Sequence, residues 1–290
     1  MGLFLSFLLD GLALGGLYAG LAVGYALAFR RHRILHLPYA DIGVFSVFLT
    51  LLLLAAVGPE KPGSLLGPLL FLLGVGVSSL IAAVLGFLTY RLIYRPLSQQ
   101  PLLHVVAAAL GLALLLENLA LAIWGAGGRP FPDLLELGQI GLLGATLPVA
   151  KLLAVVLSLA LAWISYSLFG SRPDASFFLL GVPAGAIAFV AALYYGVSWY
   201  FLGFLLGLSA LVSAAAAGFS NLTRVALIAL GLGIVQGLAA GYLSSASGTA
   251  AAQLPVILPA AALVGALVFR RSRPLPEDQE ARSGSAFSQG

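Results

Sequence analysis

The chain has 290 residues, 61% of them apolar, with one methionine and no cysteine. Its 14 basic and 10 acidic residues make it 8% charged, where a soluble domain is about 25% charged. Too few polar groups exist to face water, which excludes a soluble enzyme, a nucleic-acid binder or a disordered chain. The lipid bilayer is the partner this composition demands. Without cysteine there is no disulfide, thiolate nucleophile or cysteine-based metal site.

A membrane helix needs about 20 apolar residues, so gaps between charges map the crossings. The first apolar segment runs from about Leu3 to Phe29 and stops at Arg30-Arg31-His32-Arg33, the densest basic cluster. It lacks the positive flank of a cleavable signal peptide and reads as a mature helix. A second segment, about Ile42 to Val57, ends in Gly58-Pro59-Glu60-Lys61-Pro62-Gly63, a turn-forming linker. The third, about Leu66 to Tyr90, stops at Arg91 and Arg95. The fourth, about Leu102 to Trp124, is followed by some 20 residues read as irregular, and a fifth runs from about Leu147 to Phe169.

Ala175 to Thr223 holds 49 uncharged residues. As one helix it would be about 74 Å long, so it must cross twice, breaking near Gly196-Val-Ser-Trp199. Val225 to Phe269, 45 residues, likewise requires two crossings, with a break in Ser244–Thr249. The expected fold class is all-α: a polytopic transmembrane helix bundle of eight or nine spanning helices over residues 1–273. A polar, disordered cytoplasmic tail is expected over 274–290.

Nine crossings with an external N-terminus place Arg30, Arg31, Arg33, Arg91, Arg95, Arg172, Arg224, Arg270, Arg271, Arg273 and Arg282 in the cytoplasm. Lys61, Arg129 and Lys151 fall outside. Eleven against three follows the positive-inside rule.

Ionisable groups within the membrane are costly and mark functional candidates. Asp10 lies near enough to the outer interface to be solvated. Asp41 follows His36-Leu-Pro38-Tyr39-Ala40, an interrupted stretch before the second segment. It is read either as a cap of that helix or as part of a polar pathway, two roles that are compatible. Glu117, beside Asn118 and some 15 residues into the fourth segment, is either a structural donor between helices or part of the same pathway. His32 and His36 have metal-ligand spacing on a helix. With only His104 besides, and no cysteine, no metal site is expected. No nucleophile motif or phosphate-cradling loop occurs, so neither enzyme activity nor a cofactor is expected. Small residues recur at four-residue spacing in Gly11/Gly15, Gly16/Gly20/Gly24, Gly203/Gly207 and Gly237/Gly241, a pattern that lets membrane helices approach closely.

Four stretches together carry a family likeness. Gly11-Leu-Ala-Leu-Gly-Gly-Leu-Tyr-Ala-Gly-Leu-Ala-Val-Gly-Tyr25 resembles the opening helix of the permease subunits of branched-chain amino acid ABC importers. Arg33-Ile-Leu-His-Leu-Pro-Tyr-Ala-Asp41 resembles that family's R-x-I-N-F-A-H-G-D segment, and Tyr90-Arg-Leu-Ile-Tyr-Arg-Pro-Leu97 its E-R-x-x-Y-R-P-L loop. Gly111-Leu-Ala-Leu-Leu-Leu-Glu-Asn-Leu-Ala120 resembles its G-L-x-x-x-L-Q-N-L-A, followed by a similar loop at Arg129-Pro-Phe-Pro132. Two departures stand out. His36, Pro38, Tyr39 and Ala40 replace the family's Asn, Ala, His and Gly. The cytoplasmic loop between the fifth and sixth segments is only Gly170-Ser-Arg-Pro-Asp-Ala-Ser176, about ten residues shorter than in the family.

The resemblance implies the ABC importer permease fold, working by alternating access in the bacterial cytoplasmic (inner) membrane. It implies a like or paralogous permease partner, two ATP-binding subunits that hydrolyse ATP, and an external solute-binding protein. The solute would be a branched-chain amino acid or a similar small polar molecule such as an amide or urea. Candidate path residues are His36, Tyr39, Asp41, Glu117 and Asn118. Candidate ATPase-docking residues are Arg91, Arg95, Arg172, Asp174 and Arg224. The shortened loop keeps an alternative open, an ATPase-independent secondary transporter or channel derived from the same fold.

Overall fold

A computed structural model describes residues 2–32, 34–57, 66–132, most of 134–149 and 176–246, with scattered positions between 153 and 164 and between 254 and 265. The fifth apolar segment lies mostly outside the described residues. So do Arg172, Asp174 and the tail from 274 onward.

Helix α1 (Gly2–His32) is followed by α2 (Tyr39–Val57), α3 (Leu66–Thr89) and α4 (Leu102–Trp124). The end of α3 widens into a π-turn over Tyr90–Tyr94, where the Arg95 N–H donates to the Tyr90 carbonyl at 2.8 Å. Next come β1 (Arg129–Pro130), the hairpin of β2 (Gln139–Leu142) and β3 (Ala145–Pro148), and α5 (Ser176–Tyr195). Strand β4 (Val197–Ser198), α6 (Leu202–Ala216) and α7 (Leu222–Ala246) follow. Among the described residues, six helices are long and apolar enough to cross a membrane, and α6 is a shorter apolar one. This is a polytopic, multi-pass helical protein.

The linker expected to be irregular after α4 is instead partly strand. Gln139 pairs with Pro148 and Leu142 with Ala145. Leu147, expected to open the fifth helix, therefore lies in β3. The alternating run Gln-Ile-Gly-Leu is too short for hydropathy, averaged over a helix length, to resolve it as a strand.

The expected break at Gly196–Trp199 is present. Gly196 adopts φ +67°, a left-handed conformation in which a side chain would be strained, and Val197–Ser198 pairs antiparallel with Arg129–Pro130. At 15 residues, α6 rises only about 22 Å. That is shorter than the roughly 30 Å hydrocarbon layer.

α1 is the central helix, its apolar window 83% buried against 28% for α4 and α7. It packs along α7 through glycines. A Cβ on Gly11 would lie 2.7 Å from the Ile234 Cα, and one on Gly15 would lie 2.7 Å from the Leu230 carbonyl oxygen. In lipid, where burial of apolar area gives no drive, such backbone proximity supplies the dispersion that holds helices together. α3 and α5 pack in the same way, with Gly185 against Ser78 and Ser79 and Gly181 against Ala82 and Ala83. A hydroxyl lace ties α2, α3 and α5: Ser46 Oγ meets Ser78 Oγ at 2.8 Å, and Ser78 Oγ donates to the Gly185 carbonyl at 3.0 Å.

Ring contacts define the two ends of the bundle. At one, Phe29 meets Phe219 at 4.5 Å, and Phe177 meets Tyr90 at 5.0 Å and His32 at 4.9 Å. At the other, Phe7 meets Tyr242 at 5.4 Å, and the Tyr194 hydroxyl donates to the Asp10 carbonyl at 3.4 Å. Arg30, Arg91, Arg95 and Arg224 are exposed at the first end and Arg129 at the second. Among the described residues, these four of the eleven arginines assigned to the cytoplasm thus share one end of the bundle, and Arg129 lies at the other.

Candidate functional site

After α1 the chain turns back into the bundle. Leu35 to Pro38 forms a tight turn in which the Tyr39 N–H donates to the His36 carbonyl at 3.0 Å. This returns Tyr39 to the level of Gly24, whose missing side chain makes room for the Tyr39 hydroxyl. Tyr25 packs edge-on to Tyr39 at 5.1 Å, and its hydroxyl donates to the Leu37 carbonyl at 3.2 Å. Helix α2 therefore begins well inside the protein and carries Asp41 with it.

Asp41 stands in the first turn of α2, two residues inside the helix start. It is 7% exposed, and its Oδ1 is buried without a hydrogen-bond partner among the described residues. A carboxylate at this position is favoured by the positive end of the helix. The opposing wall is the N-terminus of α6: a side chain on Gly203 would collide with the Asp41 carboxylate, and its Cβ would lie 2.8 Å from the Asp41 Cα. Only glycine allows this approach.

Asp41, Glu117 and Tyr200 line one small, partly open cavity of about 10 Å³, room for about one water molecule, with an apolar wall of Val44, Phe45, Phe48, Leu116 and Ala120. Glu117 is 7% exposed on the inward face of α4. Asn118, the next residue, lies on the exposed face, its Nδ2 donating to the Leu114 carbonyl at 2.7 Å. Phe48 stacks on Trp124 at 5.0 Å and Phe45 meets the same ring edge-on at 5.8 Å, which fixes the aromatic side of the cavity.

His36 lies away from this cavity, toward the arginine end. It is 2% exposed and shares a hydrogen bond of 2.9 Å between Nδ1 and the Tyr94 hydroxyl. Its ring packs edge-on against Tyr94 at 5.5 Å and Phe177 at 5.2 Å. Burial, with His32 as a smaller contributor, pushes its imidazole down to about 3, so His36 is neutral at physiological pH. The Tyr39 hydroxyl is buried without a partner among the described residues.

The structure thus brings Asp41 and Glu117 together, sets His36 and Tyr39 beneath them toward the arginine end, and turns Asn118 outward. Arg91, Arg95 and Arg224 are exposed at that same end. Sequence reasoning missed Tyr200 and singled out Gly203 only for helix packing. Both sit in or beside the break at Gly196–Trp199, and that break was the available signal. Among the described residues no group of three or more His, Cys, Asp or Glu could hold a metal.

No family model matches the chain, and no solved structure matches it. Curated proteins do. The high-affinity branched-chain amino acid transport system permease protein BraD of Pseudomonas aeruginosa is 24% identical over 267 residues, covering 80% of this chain and 85% of the relative. The permease protein LivH of the corresponding system in Escherichia coli K12 is 25% identical over 275 residues, covering 83% and 88%. LivH of Salmonella typhimurium LT2 is 24% identical with the same coverage. The chain is a multi-pass helical membrane protein related to these permease proteins, a transport subunit and not an enzyme.

Proposed function

We propose that the chain is the permease subunit of an ABC importer for branched-chain amino acids or a similar small polar solute, working in the bacterial inner membrane. One observation carries this beyond the relatives' names. Two carboxyl groups, on α2 and α4, line a common cavity inside the bundle beside the N-terminus of a helix too short to span. Irregular backbone at membrane depth is tolerated where it lines a polar cavity, and short or broken helices meeting near the midplane are how transporters build solute sites.

In this reading His36, Tyr39, Asp41 and Glu117 follow the path from the arginine end inward, and Asn118 faces lipid or the second permease. Two ATP-binding subunits dock at the arginine end through Arg91, Arg95 and Arg224, with Arg172 and Asp174 in the short connecting loop. A solute-binding protein delivers from the opposite, external side, where the N-terminus lies. The full count is eight or nine crossings, residues 1–273 form the permease domain, and 274–290 form the cytoplasmic tail. The fold-back at Leu35–Pro38 links the two ends: it joins His36, packed on the π-turn and α5, to the start of α2 and Asp41. Motion imposed at the arginine end would reach the cavity through it, as alternating access requires.

The test is co-purification of the tagged chain followed by mass spectrometry, with leucine uptake measured in the same cells. An ATP-binding subunit, a second permease and ATP-dependent uptake are expected. A chain that purifies alone and transports without ATP would favour a secondary transporter.

A further inference from the structure

The turn that ends α3 divides residues that a regular helix would keep together. In an α-helix positions 91, 94 and 95 share one face, being three and four residues apart. Here the π-turn over Tyr90–Tyr94 leaves Arg91 and Arg95 exposed and buries Tyr94 to 1% exposure. The widened turn thereby delivers the Tyr94 hydroxyl to His36, with which it shares a hydrogen bond of 2.9 Å at Nδ1. Phe177, in the first turn of α5, closes around the pair, 5.3 Å from the Tyr94 ring and 5.2 Å from the His36 ring. A Cβ on Gly86 would lie 2.6 Å from the Phe177 carbonyl oxygen, so the end of α3 and the start of α5 move as one body. His36 in turn is tied to the start of α2. Its carbonyl accepts from the Tyr39 N–H at 3.0 Å, two residues before Asp41. Contacts thus run without a gap from the exposed arginines to Asp41, and Tyr94–His36 is the link that crosses from α3 to the fold-back.

We propose that this π-turn is a two-state latch and that Tyr94 is a positioning residue for the transport step. The proposal rests on the transport reading above and names where ATP-driven motion enters the chain. In the described state the widened turn holds Tyr94 on His36 and fixes the fold-back that carries Asp41. An ATP-binding subunit that gathers Arg91 and Arg95 converts the turn to α register. That conversion rotates Tyr94 toward the arginine face, breaks its bond to His36 and releases the start of α2. Single π-turns inside α-helices recur at functional sites, and coupling between separated sites requires a discrete two-state element of this kind. The route needs no long docking helix in the Gly170–Ser176 loop. A contact biases such an equilibrium only by its free energy in one state relative to the other, and one hydrogen bond supplies a bias of about threefold to tenfold.

The test uses the full chain assembled with its permease, ATP-binding and solute-binding partners in proteoliposomes, reading leucine uptake and ATP hydrolysis together. Tyr94→Phe removes the hydroxyl and keeps the ring contacts. It should leave assembly and ATP hydrolysis at the wild-type level and lower the leucine moved per ATP at least about threefold, the scale of one hydrogen bond. Tyr90→Phe removes a hydroxyl from the same ring cluster and should change neither reading. His36→Leu is the second variant should Tyr94→Phe fail to assemble, and it should lower the same ratio. The double variant should fall no further than either single one, since both remove one bond. Unchanged leucine per ATP in Tyr94→Phe overturns the latch alone. So does an equal loss of uptake and hydrolysis, or losses that add in the double variant. A wild-type complex without ATP-driven uptake overturns the transport reading and the latch with it, so the two failures are distinguishable.

Discussion

Two glycines on α7, two residues apart, should respond to alanine in opposite directions. Gly231 faces open space, with nothing within 4 Å of an added Cβ. Gly233 lies against α1, where an added Cβ would collide with the Gly15 amide nitrogen and Cα. In a helix interior alanine is favoured over glycine by about 0.8–1 kcal/mol, and both substitutions gain this term. The difference between them therefore isolates the clash. From the other side of the same seam, a Cβ on Gly15 would sit 2.7 Å from the Leu230 oxygen, where ordinary contact begins at 3.4 Å. Both groups are backbone, and the Gly233 approach is closer still, so relief requires α1 and α7 to part by more than about 0.7 Å, a gap that forfeits at least about a quarter to a half of each dispersion well along the seam. Overpacking of this kind costs about 1–3 kcal/mol. Gly231→Ala should be stabilising, and Gly233→Ala should lie about 1–3 kcal/mol below it. Equilibrium unfolding in mixed micelles, followed by tryptophan fluorescence, reads both. Equal stabilities would refute the account of the α1–α7 seam.

Other consequences follow from the arginine end and its buried histidine. Single cysteines at Ser64 and Ser283 should label from the outside and the cytoplasm respectively; labelling of Ser64 only from the cytoplasm would invert the orientation. His36 is held neutral with its affinity for protons lowered from 6.5 to about 3. Its contribution to stability is complete above about pH 6.5 and is lost progressively as pH falls toward 3, by up to about 1.4 kcal/mol per pH unit. Comparing melting of the wild type and His36→Gln from pH 7.5 to 5 should show the excess acid sensitivity only in the wild type; parallel curves would remove His36 from the account. The connecting loop keeps only Arg172 and Asp174 as charges, too few for a stable interface of about 800 Å² per partner. This chain alone should therefore capture an ATP-binding subunit weakly, through Arg91, Arg95 and Arg224. Tight capture abolished by Arg172→Ala would show that the short loop suffices.

The six described crossings were legible because hydropathy over twenty residues averages out local detail. α4 matches its expected limits, and the break after Tyr195 lies where glycine and polar residues interrupt an overlong run. The four-residue glycine spacing also had structural content, since Gly11 and Gly15 meet α7 and Gly203 meets α2. Short-range geometry was not legible. The β2–β3 hairpin is too brief for periodicity to separate from loop, and the π-turn at Tyr90–Tyr94 leaves no compositional trace. For the cavity, the cost of buried charge singled out Asp41 and Glu117 separately. Their meeting depends on the fold-back at Leu35–Pro38, which lowers Asp41 into the bundle, and no spacing in the sequence encodes that depth. Asn118 was drawn in by the family resemblance and by adjacency to Glu117, and the structure turns it to the exposed face because neighbouring helical residues point about 100° apart.

The central claim, that solute passes the Asp41–Glu117 cavity, is tested most directly by ATP-driven leucine uptake in proteoliposomes holding this chain with its permease, ATP-binding and solute-binding partners. Asp41→Asn, which keeps the shape and removes the charge, should cut uptake at least about tenfold, one decade or about 1.4 kcal/mol of barrier, while the complex still assembles. Uptake equal to wild type from an intact Asp41→Asn complex would contradict the claim and return Asp41 to a capping role.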